Sequence, residues 1–219
     1  MTKRIFILGA TGRTGKHAVA FALAKGYEVV ALVRDPEKIT VKSAGLTIIT
    51  GLPTDLDDVR KAMKGCDAVL SLLAPLPHGA ALSIRRIDRP RIMERSISNV
   101  LEVMKEYHIK RIMILSTVGA GNSWKYNPWY VKLLARLTNF KVIFEDHNAQ
   151  ERLVQASGTD WTIARPAGLN ENEAVGKLAV TYDHTPNPFQ MSRKLLAEFL
   201  IDNLFTETYV HKTPMLSER

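Results

Sequence analysis

Gly9, Gly12 and Gly15 stand three residues apart, directly after a short apolar run (5–8) and directly before a segment of helical length (16–25). At a strand-to-helix turn, glycines so spaced have three uses. One permits the tight turn, one lets the backbone approach a pyrophosphate, and one lets the helix pack close to the strand. The helix N-terminus then presents unpaired N–H groups and a partial positive charge to the phosphates. Gly9, Thr11, Gly12, Arg13, Thr14 and Gly15 are therefore the expected phosphate loop of a dinucleotide site.

The end of the next apolar run bears on which dinucleotide it is. An acidic residue there would bind a free ribose 2′-hydroxyl. The run 28–33 ends instead at Arg34, whose guanidinium suits a 2′-phosphate. NADP(H) is the expected cofactor, with Arg13 as a second phosphate ligand. Asp35, one position on, is the residue an NAD site would use.

Proton chemistry is harder to place. Carbonyl-reducing short-chain dehydrogenases pair a tyrosine with a lysine four residues on, which lowers the tyrosine pKa. Here Tyr27, Tyr107, Tyr126, Tyr130, Tyr182 and Tyr209 are followed at that spacing by Ala31, Arg111, Tyr130, Leu134, Pro186 and Thr213. Alcohol dehydrogenase or sugar epimerase chemistry is therefore not expected. Hydride transfer to an acceptor whose conjugated ring delocalises the charge needs less help, since water supplies the proton and positioning carries the catalysis. Ser116 and Thr117, after the apolar run 111–115, are expected either to orient the reacting groups or simply to end a strand. His147, after Asp146 and ahead of an expected helix, is the remaining candidate proton donor, although a lone histidine is more often structural.

Other chemistry-bearing residues have bland readings beside the sharp ones. Trp124, Tyr126, Trp129 and Tyr130 crowd one expected loop, where they either stack on a planar ligand or pack the loop and a dimer contact. Arg85, Arg86, Arg89, Arg91 and Arg95 either capture an acidic group or form a solvated face. Cys66 has no adjacent base, and no chemistry is expected of it.

The elements that must position these residues alternate. Short β-branched runs at 4–8, 28–33, 46–50, 68–73, 111–115 and 161–164 are separated by helical segments such as 16–25, 56–64 and 92–107. Such a pattern predicts a doubly wound parallel α/β sheet covered by helices on both faces. A further strand at 178–182 and a helix at 192–204 complete it, with no linker or repeat, so residues 1–219 are expected to form one domain. The segment 75–90 is rich in proline and follows the fourth strand, where loops face the ligand crevice. It is expected to be either a substrate lid or a tolerated surface insertion.

Composition narrows the class. The chain is 46% hydrophobic and 24% charged, as globular proteins are. No stretch has the apolar length to span a bilayer, and the first apolar run is too short for a signal peptide. One cysteine allows no internal disulfide, which suits a reducing, cytoplasmic setting. The net charge of +8 comes without zinc-ligand spacing or an RNA-binding signature. An anionic small molecule, and neither nucleic acid nor membrane, is the expected partner, to a monomer or homodimer.

Gly9–Gly15, Val33-Arg34-Asp35, Leu115-Ser116-Thr117, Trp161-Thr162-Ile163-Ala164-Arg165-Pro166-Ala167 and Ser192-Arg193 together resemble the NmrA-like and biliverdin reductase B/flavin reductase group of atypical short-chain dehydrogenases. The likeness runs from residue 3 to about residue 204. It implies a Rossmann-like fold, NADP(H) and, in the reductase members, hydride transfer to flavins or linear tetrapyrroles. By the same resemblance, Arg34 matches the 2′-phosphate contact and Ser116-Thr117 the strand end beside the nicotinamide. Arg165-Pro166-Ala167 match the backbone bordering its carboxamide, and Ala74, past the fourth strand, joins the expected cofactor contacts. The sequence departs from the group at Gly51-Leu52, where Gly-Asp often lies beside the adenine, and in its longer, more basic 75–90 segment. The expected function is an NADPH-dependent reductase of a planar conjugated acceptor. The rival is a non-catalytic NADP(H)-binding sensor of the NmrA-like kind.

Overall fold

In the computed structural model, residues 2–76, 79–83, 85, 87–88, 91–174 and 176–219 are described. The first half runs β1 (Arg4–Leu8), α1 (Gly15–Ala24), β2 (Glu28–Val33), β3 (Leu46–Thr50), α2 (Leu56–Met63), β4 (Ala68–Ser71), α3 (Ile92–Glu106) and β5 (Arg111–Leu115). The second runs α4 (Trp129–Leu137), α5 (Phe140–Gln155), β6 (Asp160–Pro166), β7 (Gly168–Asn170), β8 (Leu178–Thr181), β9 (Gln190–Ser192), α6 (Arg193–Asn203) and β10 (Met215–Glu218).

Successive apolar side chains bury both faces of the central strands, so neither face can be left to water. Ile5 and Ile7 pack with Ala18, Val19 and Ala22 of α1 and Leu196 and Leu200 of α6. Phe6 and Leu8, one pleat out of phase, pack with Val59 and Met63 of α2 and Ile97, Val100 and Met104 of α3. The sheet order is β3-β2-β1-β4-β5-β6-β10-β8. From β3 to β10 all pairs are parallel; β8 closes the edge antiparallel to β10. The chain leaves β1 in one direction for β2 and β3, then returns to place β4 on the other side. That reversal opens a crevice at the carboxyl ends of β1 and β4, where doubly wound sheets bind ligands.

The expected doubly wound Rossmann-like sheet is therefore present, with three differences of detail. Trp129 and Tyr130, expected in a loop, open α4 after Pro128. His147 lies in the middle of α5 instead of ahead of a helix, because Val142, Ile143 and Phe144 are helical despite their strand-like composition. β10 was not apparent locally; it forms by long-range pairing with β6 and β8. Arg86 and Arg89 of the basic run, and Pro77 and Pro90 of the 75–90 segment, lie outside the described residues, while Arg85, Arg91 and Arg95 are exposed.

Candidate active site

The glycine turn after β1 has little room for side chains. At Gly9 the backbone has φ +78°, and a Cβ would stand 2.5 Å from the Leu72 carbonyl oxygen. Gly12 N–H closes the turn onto Gly9 O at 2.9 Å, and a Cβ at Gly15 would run into the carbonyls of Gly9 and Ala10. The α1 N-terminus has no side-chain cap and no acid in its first turn. A backbone approachable at Gly12, and a helix start for which α1 supplies no anion, fit the pyrophosphate of a dinucleotide.

Beside this turn lies a cleft of about 750 Å³. It gathers most of the residues expected from sequence: Gly12, Arg13, Thr14, Ala74, Ser116, Thr117, His147, Pro166 and Ala167 all line it. Gly9, Thr11 and Gly15 belong to the same turn without lining the cleft. Arg34 stands exposed at the end of β2, also outside the lining. There Asp35 is already engaged: Oδ1 accepts Glu37 N–H at 3.2 Å, and Oδ2 lies 3.1 Å from Lys38 Nζ. At the end of β3, the carboxylate missing from position 52 has a neighbour in Asp58, whose Oδ2 accepts Leu52 N–H at 2.8 Å.

Ser116 is held from behind. Its backbone N–H continues the β5–β6 ladder to Ala164 O at 2.7 Å. Its hydroxyl donates to Glu151 Oε1 at 2.6 Å. Arg165 grips the same carboxylate with Nε at 3.0 Å and Nη2 at 2.6 Å, and reaches Asn122 Oδ1 with Nη1 at 2.7 Å. Both members of the ion pair are buried. A hydroxyl whose proton goes to a carboxylate offers its remaining lone pairs, so Ser116 faces the cleft as an acceptor. The Thr117 hydroxyl makes a long contact to Val118 O, at 3.3 Å.

His147 has its tautomer set by a neighbour. Gln150 Nε2 lies 2.8 Å from Leu115 O and 3.0 Å from His147 Nδ1. A carbonyl only accepts, so the Gln150 nitrogen must face it, and the second amide hydrogen is directed to Nδ1. Nδ1 is then an acceptor and Nε2 carries the ring hydrogen. Burial pulls the His147 pKa down to about 4, so the ring is neutral near pH 7. One turn earlier on α5, Ile143 also lines the cleft. The i, i+4 pairs that this helix presents are thus Phe140 with Phe144 and Ile143 with His147, with neither a phenol nor an ammonium.

The remaining walls are apolar. Tyr130 and Phe189 meet edge to face at 6.5 Å, and Phe140 and Phe144 line the space between α4 and α5. Trp124 packs against Phe144 at 5.2 Å. From the 75–90 segment, Pro75, Leu76, Gly79, Ala81 and Leu82 form part of the wall. Asn139 fastens it: Nδ2 reaches Ala80 O at 3.2 Å, Ser83 O at 3.1 Å and Arg85 O at 2.8 Å, and Oδ1 accepts Ile87 N–H at 3.2 Å.

Four supporting residues escaped the sequence reading: Glu151, Gln150, Asn139 and Glu171. Glu171 Oε1 joins Arg193 (2.8 Å) to Arg13 of the phosphate loop (3.5 Å). No local motif marks any of the four. Glu151 and Gln150 have one available signal, as polar residues on the buried face of an amphipathic helix. Cys66 is buried, which pushes its thiol up to about 12, in line with no assigned chemistry.

This turn, crevice and sheet define a dinucleotide-binding α/β protein. The family model described as NAD(P)H-binding matches residues 9–207, and the chain belongs to that family. An uncharacterized chloroplastic protein of Arabidopsis thaliana is 27% identical, over 94% of this chain and 73% of its own length. Among solved structures, ChuY of Escherichia coli O157:H7, described as an anaerobilin reductase, superposes with a TM-score of 0.80 at 21% identity, covering 99% of this chain and 97% of that one. A short-chain dehydrogenase/reductase of Veillonella parvula, solved in complex with NADP, superposes with a TM-score of 0.76 at 18% identity, covering 100% and 95%. Among the described residues no helix is long and apolar enough to cross a membrane.

Proposed function

We propose that this protein is an NADPH-dependent reductase that delivers a hydride to a planar conjugated acceptor, a flavin or a linear tetrapyrrole. The observation that carries the reading is convergence in one apolar-walled cleft. The glycine turn, an acceptor oxygen on Ser116 and a neutral ring donor on His147 meet there, without a Tyr-x-x-x-Lys pair. Bound NADPH would supply the hydride.

The chain's own residues position and enclose. Gly12, Arg13 and Thr14 hold the phosphates, and Arg34 the 2′-phosphate, with Asp35 occupied by its own turn. Ser116 Oγ accepts an N–H of the ligand, and His147 Nε2–H donates to a carbonyl or ring nitrogen of the acceptor. Phe140, Phe144 and Phe189 supply flat apolar walls that exclude water. A neutral imidazole is a poor acid, so solvent provides the proton. The anaerobilin reductase among the structural neighbours supports the acceptor class.

The test is NADPH oxidation followed with FMN, riboflavin, biliverdin and simple quinones. Sustained turnover with at least one planar acceptor is expected. Tight NADPH binding with no turnover on any of them would make the chain a sensor.

A further inference from the structure

The inner face of α4 serves the cleft, through Tyr130, Val131 and Leu134. Its outer face is also apolar. Trp129, Leu133 and Leu137, at i, i+4 and i+8, are 76%, 47% and 62% exposed. A solvated helix face normally carries polar residues there, and a contiguous apolar stripe marks a contact surface. Leu82 of the cleft lining is likewise 61% exposed. Asn139, two residues beyond Leu137, bonds Ser83 O through both its backbone N–H and Nδ2.

Charge selects what covers this stripe. Between residues 112 and 140 the sequence carries Lys125, Lys132 and Arg136 and no aspartate or glutamate, while Lys141 is paired with Glu145 at 3.7 Å. Lys132 and Arg136 flank the stripe, three residues after Trp129 and Leu133 respectively. A second copy of the chain, related by a two-fold axis, would set these cations against their own twins with no carboxylate nearby on α4 to offset them. An anionic lipid surface meets both features at once. Trp129 and the leucines would enter the interface while Lys132 and Arg136 reach the headgroups. A surface contact of this kind needs no spanning segment, which was the ground for expecting no membrane partner. It would also bring the apolar cleft mouth beside a reservoir of lipophilic ring compounds.

We propose that the outer face of α4 is a membrane-surface contact that seats the protein on an anionic bilayer. The test is flotation of the full chain with vesicles of phosphatidylglycerol and phosphatidylcholine in equal parts, against phosphatidylcholine alone. Binding to the anionic vesicles only is expected, weakening as salt is raised. The double variants Leu133→Glu/Leu137→Glu and Lys132→Glu/Arg136→Glu should each weaken it by at least about tenfold, with NADPH affinity unchanged. In the unmodified protein, brominated phosphatidylglycerol should quench tryptophan fluorescence, a readout independent of how any variant folds. Equal binding to both vesicles, no flotation, or no quenching would overturn the proposal. So would a concentration-dependent dimer that the leucine changes abolish.

Discussion

Ser116 and His147 face the cleft with opposite polarity, and each owes this to a residue behind it. Glu151 accepts the Ser116 hydroxyl's hydrogen bond, and Gln150 fixes the His147 tautomer. Ser116→Ala removes one orienting hydrogen bond and should slow turnover about tenfold, or about 1.4 kcal/mol, measured by single-turnover rates. Arg165→Met leaves Glu151 charged and buried without its partner. Urea unfolding should then show a loss of about 3–5 kcal/mol. His147 makes its own pH signature. Its folded pKa of about 4 lies below the ordinary 6.5, so the unfolded chain binds a proton that the folded chain refuses. Its neutral burial therefore favours folding fully above about pH 6.5, and that contribution is lost as pH falls toward 4. The loss is on the order of 3 kcal/mol, and His147→Gln should remove this part of the slope in stability against pH.

At the scale of elements, the β1–α1 turn and the 75–90 segment do different work. Gly12→Val should weaken NADPH binding more than tenfold by calorimetry while Tm shifts little, because the side chain enters the space beside Gly9 O where a phosphate must approach. Asn139→Ala removes the fastening of the 79–87 wall and should raise KM for the acceptor several-fold and speed amide exchange in that segment. The glycine turn and β1 to β6 were legible in the sequence because their signals are local: a fixed glycine spacing and doubly buried apolar runs. Ser116 was legible as a strand-end residue, Pro166-Ala167 was marked only by the family resemblance, and all three line the cleft, whereas Arg34 stands outside its lining. What was not legible depends on tertiary packing. The strand-like composition of 140–144 folds as helix because Phe144 packs against α4, and Met215–Glu218 becomes a strand only when β6 and β8 flank it. Glu151 carries no local mark of its pairing with Arg165, fourteen residues on.

For the whole molecule, the crevice between the two halves of the sheet sets what can react. The turn after β1 brings Gly12, Arg13 and Thr14 to the cleft, β5 and β6 bring Ser116, Pro166 and Ala167, and α4 and α5 close the far wall with aromatic rings. With Arg34 exposed and Asp35 engaged at the end of β2, NADPH should bind at least tenfold more tightly than NADH, about 1.4 kcal/mol. The central claim is reduction by positioning, without a protein acid. Its most direct test is the single-turnover rate of NADPH oxidation by a planar acceptor across pH 5–9, for wild type and His147→Ala. Measurable hydride transfer is expected, with no His147-dependent titrating limb in that range and a loss in His147→Ala of no more than about tenfold, the size of one hydrogen bond. A fall beyond about a hundredfold, with a limb near neutral pH that vanishes in the variant, would make His147 a general acid and contradict it.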